Sequence, residues 1–169
     1  MKQRGLSMIE ILVTLTIVAF ALLGLLGLQA RALSYQKDSF DRKAAAELVS
    51  NLAERMRANH LAFIAGNYIN AFDASAAIPT LTACSPCTPG ELATKDIDEW
   101  RIDLRRRIAG GASYIQWTAA NSQWVIVTLA WPEPQAAVGP GQDAVCDAMN
   151  GGGATIPLNY RCYQTRVFP

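Results

Sequence analysis

The chain has 169 residues, enough for one compact domain or for one small domain plus an extended element. Apolar residues make up 51% of it, and the excess over an ordinary globular share is concentrated near the N-terminus. A formal net charge of +1 argues against nucleic acid as an obligate partner. With a single histidine and no paired carboxylates at a recognisable spacing, the chain shows no catalytic constellation, and neither enzymatic activity nor a cofactor is expected.

Ile11 to Leu28 is an uncharged apolar run, and extended back to Leu6 it is interrupted only by Glu10. About 20 apolar residues at a helical rise of about 1.5 Å span a hydrocarbon core of roughly 30 Å, so the run is a transmembrane candidate. Lys2 and Arg4 precede it and, by the positive-inside rule, hold the first residues in the cytoplasm, leaving everything after Leu28 on the periplasmic or outer side. A conventional secretory signal is the plainer alternative, and Ala30-Arg31-Ala32 has the small-x-small look of its cleavage site. The run is longer than such a signal needs, however, and the helical pattern continues through Ala32. Glu10 is the informative residue. A carboxylate at the centre of a bilayer-spanning helix costs roughly 2.5–3.5 kcal/mol, less near its end, and is normally matched by a cation at similar depth. Cleavage between Gly5 and Leu6 would create that cation, an α-amino group able to pair with Glu10 of a neighbouring subunit and set its axial register. Without cleavage, Glu10 would simply be a carboxylate near a helix N-terminus, wetted by head groups.

Gly5-Leu6-Ser7-Met8-Ile9-Glu10, behind a short basic leader and ahead of an apolar run, resembles the type IV prepilin signature. The resemblance implies cleavage after Gly5 by a prepilin peptidase, N-methylation of Leu6, and subunit docking through Glu10. Losing Lys2 and Arg4 removes two positive charges and takes the net charge from +1 to −1. Leu6 stands where phenylalanine is commoner, and Gly27 where major pilins carry a helix-bending proline. The first departure is mild; the second, stronger one shifts the expectation from a fibre-building pilin toward a minor pilin or a pseudopilin of a type II secretion system.

Beyond the apolar run, Gln29 to Ala65 has neither proline nor glycine and reads as the amphipathic continuation of the same helix. Phe40, Ala44, Leu48, Leu52 and Met56 recur every four residues, with Ala45, Val49 and Ala53 on the adjoining ridge. One unbroken helix from about Leu6 to Ile64, stopped by Gly66, is expected, roughly 90 Å long at 1.5 Å per residue. Gly24 and Gly27 have G-x-x-G spacing, which is not the G-x-x-x-G of close helix pairs; local helix flexibility is an equal reading.

Asn67 to Pro86 reads as a connecting loop. Thr88-Pro89-Gly90-Glu91 has the form of a capped helix start, and Leu92, Ile97, Trp100, Leu104 and Ile108 mark one face of a short helix ending at Gly110-Gly111. Ser113–Ala119 and Gln123–Trp131 are strand-like, with Ala120-Asn121-Ser122 as a hairpin connection; Pro132 to Pro157 reads as a long Gly/Pro-rich loop and Tyr160–Phe168 as a last strand. The order gives an α+β fold: a long N-terminal helix, half transmembrane and half amphipathic, packed on a small antiparallel sheet. Gly66-Asn67-Tyr68, the C-x-x-C, Leu92 to Trp100 and Gly110-Gly111 together resemble PilV-type minor pilins.

Cys84, Cys87, Cys146 and Cys162 form an even set in a small exported domain, which reads as disulfides. Three pairings are possible, of which Cys84–Cys87 with Cys146–Cys162 is favoured; the second would close a loop of about 15 residues, worth roughly 3 kcal/mol. A thiol-redox centre at Cys84-Ser85-Pro86-Cys87 lacks the βαβ surround it needs, and zinc lacks a second C-x-x-C. His60 is expected on the surface. Arg101, Arg105, Arg106 and Arg107 read as the solvated end of the short helix, with a DNA or partner patch as the sharper option. The organisation expected is therefore a leader (1–5), a transmembrane segment (6–28), its amphipathic continuation (29–65) and a periplasmic pilin domain (66–169). The resemblance implies, as partners, a prepilin peptidase, other minor pilins, the major pilin, the inner-membrane assembly platform and a tip adhesin. It implies residence in the inner membrane and then in the pilus. An anchored thiol-redox or metal-binding protein is the alternative of a different class.

Overall fold

A computed structural model describes residues 8–73, 79–81, 83–117, 123–133, 145–146, 156 and 159–169. The element order is α1 (Met8–Ala58), α2 (His60–Ile64), β1 (Asn70–Asp73), α3 (Pro89–Arg107), β2 (Ala112–Trp117), β3 (Val125–Pro132) and β4 (Tyr160–Val167). The chain divides into two compact units at Phe40/Asp41, so that α1 begins in the first and ends in the second. The α+β fold expected from the sequence is the fold observed.

In the second unit the end of α1 is amphipathic. Ala45, Leu48, Val49, Leu52, Ala53 and Met56 are buried, at the three- and four-residue spacing that puts side chains on one helical face. Phe40, expected on this stripe, is 68% exposed. The single long helix also stops short of Ile64. Asn59 leaves the helical region (φ −118°, ψ 55°), and α2 resumes for one turn and a half before Gly66, whose φ of +81° only glycine adopts cheaply. The interruption has a local cause: the Asn59 amide donates to the Pro89 carbonyl at 2.8 Å, tying the break to the start of α3.

The start of α3 follows its sequence. Thr88 accepts from the Glu91 backbone N–H while the Glu91 carboxylate accepts from the Thr88 N–H, and Pro89 occupies the first turn where its missing donor costs nothing. The Thr88 N–H and then its hydroxyl both donate to the Glu91 carboxylate, and these two bonds hold that carboxyl below its ordinary range. The buried face is Ala93, Ile97, Trp100 and Leu104; Leu92, expected there, is 38% exposed, because it lies one residue off the i, i+4 row. Ile108 is buried but already extended. Gly110 (φ +70°) then turns the chain beneath Pro132, whose ring would lie 2.7 Å from any Cβ placed there.

The sheet is an antiparallel meander in the order β1-β2-β3-β4. β1 lies within 67–86, a segment expected to be loop; at four residues, with a bulge against β2, it is too short to announce itself by alternation. The expected hairpin connection at 120–122 and most of the loop at 132–157 lie outside the described residues. Ile115, Val125, Val127, Leu129, Trp131 and Val167 join the helices in the main core. The opposite face is covered too. Ala112, Ala130 and Cys162 pack with Cys146 and Ile156 in a second, smaller cluster edged by Phe72, Tyr114 and Tyr160. This explains why β3 is buried at nearly every position, where a one-sided sheet would alternate.

Candidate functional site: an exposed apolar helix and a clamped domain

Every residue from 8 to 33 is exposed, including the run of Ile, Leu, Val and Phe side chains that begins α1. This is the one segment among the described residues long and apolar enough to cross a membrane, with a mean hydropathy of 2.7 over 18 residues. A soluble surface does not carry a contiguous apolar area of this extent without a cover. Its two hydroxyls are already satisfied within the helix: Thr14 donates to the Ile11 carbonyl at 2.9 Å, and Thr16 to Leu12 and Val13 at 2.7 and 2.9 Å. Such back-bonding removes the desolvation cost that a free hydroxyl would meet in hydrocarbon. Glu10 is exposed in the first turn, where a carboxylate faces the positive end of the helix dipole. Gly5 and Leu6 lie outside the described residues. Gly24 and Gly27 have nothing within 4 Å of the position a Cβ would take, so the fold of this chain does not itself require glycine at either.

The second unit is locked by a polar clamp that brings together the segments 66–68 and 92–100. Tyr68 is fully buried, and its hydroxyl donates to Asp96 Oδ2 at 2.6 Å. The Arg55 guanidinium reaches Asp96 Oδ1 at 3.1 Å and Glu99 Oε2 at 2.8 Å, and its Nε donates to Asn51 at 3.0 Å. Nearby, the Trp100 indole N–H donates to the Leu48 carbonyl at 2.8 Å, filling an acceptor inside the core. One turn of α1 is thus fastened to α3 and to the turn after α2 by bonds that mostly involve a charged partner, the stronger kind. Burial alone would lower the Arg55 pKa, but the bonds to Glu99 and Asp96 outweigh it and raise it further. Burial, and then the bond to Asp96, push the Tyr68 hydroxyl well above its ordinary value, so it stays a donor at any physiological pH.

The arginine cluster is only in part the solvated helix end expected from sequence: Arg106 and Arg107 are exposed, whereas Arg101 and Arg105 are not. Arg105 meets Asp73 at 2.8 Å and Arg101 meets it at 3.5 Å, both arginines being largely shielded from solvent. Arg107 pairs with Glu47 at 3.1 Å. α3 therefore spends Arg101 and Arg105 on β1, which places Asp73 beside them, and Arg107 on α1. Burial lowers the Arg101 pKa, Asp73 opposing the shift.

Cys84 is bonded to Cys87 and Cys146 to Cys162, with Cα separations of 4.9 and 5.4 Å. The second bridge sits inside the outer cluster and pins residues 145–146 against β4. His60 is exposed and stacks on Phe63 at 6.0 Å between ring centres. Among the described residues no group of three or more His, Cys, Asp or Glu is placed to hold a metal ion. Sequence reading singled out Tyr68 and the 92–100 stretch without their roles, and missed Arg55, Asn59 and Asp73. The available signal was positional: Asp96 and Glu99 flank the Ile97/Trp100 face, and Arg55 adjoins Met56, where an ion pair can close the edge of a helix contact.

Two family models match the chain. A prokaryotic N-terminal methylation motif covers residues 1–26, and a Tt1218-like model, described as type IV pilin Tt1218, covers residues 27–98. No curated protein and no solved structure matches it. The second match includes Arg55, Tyr68 and Asp96, so the clamp falls largely within it. A methylation motif running directly into a pilin region, on an exposed apolar helix continuous with an α+β domain, supports assignment of the chain to the type IV pilins.

Proposed function

We propose that the chain is a minor pilin, cleaved after Gly5, methylated at Leu6, and held in the inner membrane by residues 6–28 with its C-terminal domain in the periplasm. From there it joins other minor pilins and the major pilin on the assembly platform and takes a place in the initiating, tip-proximal complex, where an adhesin is a further partner. Glu10 supports docking by pairing with the free α-amino group of a neighbour. The observation that carries this reading is the exposed apolar start of α1 with a carboxylate in its first turn and its hydroxyls self-satisfied. Such a surface is suited first to lipid and then to other helices of the same kind. Gly27 in place of a proline, together with the 66–68 and 92–100 motifs, supports a minor pilin over the main subunit and over a secretion pseudopilin.

N-terminal sequencing and intact mass of the mature chain test the processing step. A chain starting at methyl-Leu6 is expected; one starting at Met1 or Leu33 would refute it. Glu10→Ala should be cleaved normally yet be depleted at least tenfold from sheared pili, and its undiminished recovery there would remove Glu10 from docking.

A further inference from the structure

The two edges of the sheet are built differently. The β1 edge is short, bulged against β2, and carries Asp73 tied to Arg101 and Arg105, features that keep a sheet edge from pairing further. The β4 edge has neither the shortness nor the bulge. It runs over Tyr160–Val167 in unbroken register with β3, and among the described residues no strand lies on its outer side.

The direction of its backbone groups follows from Pro132. Proline has no N–H, so the facing pair Pro132/Tyr160 is not a hydrogen-bonded one. The next pair is, the Glu133 N–H donating to the Asn159 carbonyl at 2.7 Å. Pairs alternate along an antiparallel ladder, so Arg161, Tyr163, Thr165 and Val167 turn their N–H and C=O groups to β3. Tyr160, Cys162, Gln164 and Arg166 turn theirs outward. The first two of these lie at the end closed by the Cys146–Cys162 bridge, with Cys146 Sγ 3.6 Å from the Tyr160 carbonyl. Gln164 and Arg166 are exposed. The long side chains of the strand are drawn back toward β3 and its flanks. Arg161 reaches Glu133 at 2.6 Å, Gln164 reaches Thr128 at 3.1 Å, and Arg166 lies over the Trp124 ring at 4.5 Å.

Beside this edge, between β4 and α1, is a groove of about 300 Å³. Ala46, Ser50 and Ala53 line it from α1 and Tyr163 and Thr165 from β4, while Arg57 donates to the Phe168 carbonyl at 3.1 Å at one end. A fifth strand on the edge would place alternate side chains in this groove, next to Tyr163 and Thr165, where β-branched residues pack well. Its other side chains would lie beside Gln164 and Arg166. Arg166 meets no carboxylate among the described residues, so an acidic residue is the matching neighbour there. A second copy of β4 fits poorly, because Tyr160–Val167 holds two arginines and no carboxylate.

We propose that the outer edge of β4, at Gln164 and Arg166, accepts an antiparallel strand donated by a partner protein, one that alternates β-branched residues with hydroxyl and acidic ones. The outward N–H and C=O groups supply the affinity, and the α1 groove and Arg166 the selectivity.

The test is fluorescence anisotropy of a labelled heptapeptide, Thr-Val-Glu-Val-Thr-Val-Glu, against the full mature chain in detergent micelles. With a Glu opposite Arg166, its Thr and Glu residues turn their backbone toward β4 and its Val residues turn theirs away. Saturable binding in the micromolar to submillimolar range is expected. N-methylation of the Thr and Glu nitrogens should weaken it at least about tenfold, and N-methylation of the Val nitrogens by less than about threefold. Gln164→Pro removes an outward N–H that the β3 ladder does not use, and Ser50→Trp fills the groove; each should weaken the peptide about tenfold. Ser50 is exposed, so Ser50→Trp should keep the unfolding midpoint and carries the comparison if Gln164→Pro fails to fold. No saturable binding at millimolar peptide would overturn the proposal, as would equal loss on methylating either set of nitrogens or full binding to Ser50→Trp. A dimer of the full chain that the peptide does not dissociate and that Ser50→Trp makes monomeric would also overturn it, since a second copy would then hold the edge.

Discussion

Tyr68→Phe deletes one oxygen from the clamp and leaves the buried ring in place. That oxygen donates at 2.6 Å to an Asp96 carboxylate that also serves Arg55. A buried hydrogen bond to a charged acceptor contributes roughly 1.5–3 kcal/mol, and Arg55 still satisfies Asp96 in the variant, so a loss near the lower end, about 1.5–2 kcal/mol, is expected. Asp96→Ala should cost more, about 3 kcal/mol, since it leaves the buried Tyr68 hydroxyl only the longer bond to the Arg55 carbonyl at 3.3 Å and leaves Arg55 with Glu99 as its one carboxylate; partial exposure of the ion pair keeps it below the fully buried limit. The two changes remove the same bond, so the double variant should be less than additive, with a coupling of at least about 1 kcal/mol. Urea unfolding of the full chain in micelles, followed by the emission of the neighbouring buried Trp100, supplies the free energies. The pH dependence is a second reading. The folded pKa of Tyr68 lies above the ordinary tyrosine value near 10, so the unfolded chain loses this proton first. Stability from this group is complete below about pH 10 and falls as pH rises beyond it, by up to about 1.4 kcal/mol per unit, and Tyr68→Phe should abolish that slope. A coupling below about 0.3 kcal/mol, or an alkaline slope unchanged in Tyr68→Phe, would refute the clamp as described.

Gly110→Ala should destabilise the domain by about 2–4 kcal/mol, through a positive φ and contacts at 2.7 and 2.9 Å with the stiff Pro132 ring, whereas Gly24→Ala, facing open space, should leave unfolding unchanged. Replacing Cys146 and Cys162 by serine should cost about 3 kcal/mol or more by urea titration, because it frees a long loop and opens the outer cluster. The Cys84/Cys87 double serine variant should cost clearly less, as the loop it closes is only three residues apart in sequence.

What was legible in the sequence was what depends on local spacing. The capping box at Thr88, the four-residue stripe of α1 and the apolar run of β3 are short-range patterns, and their elements stand where the residues put them. What was not legible depends on distant partners. Asn59 carries no breaker signature; it interrupts the helix because Pro89, thirty residues on, accepts its amide. Strand β1 exists because β2 and two arginines of α3 hold it, and nothing within four residues encodes that. The arginine cluster looked solvated for the same reason: its counter-charge, Asp73, sat in a segment read as loop. The second sheet face was hidden because the residues that cover it, Cys146 and Ile156, are isolated within a Gly/Pro-rich stretch.

The arginine pairs carry a kinetic consequence. Arg55, Arg101, Arg105, Arg107 and Arg161 each end on a carboxylate of the same domain, so their charges close on themselves at short range and project little field into solvent. Such a domain meets its neighbours without electrostatic steering, at the unassisted rate of about 10⁵–10⁶ per molar per second in free solution. Under the proposed assembly in the membrane, encounter would be made frequent by confinement to two dimensions, and orientation would be settled after contact, by fit. Collision frequency in this case is set by how densely such subunits are packed in their layer, and added salt should leave it nearly untouched.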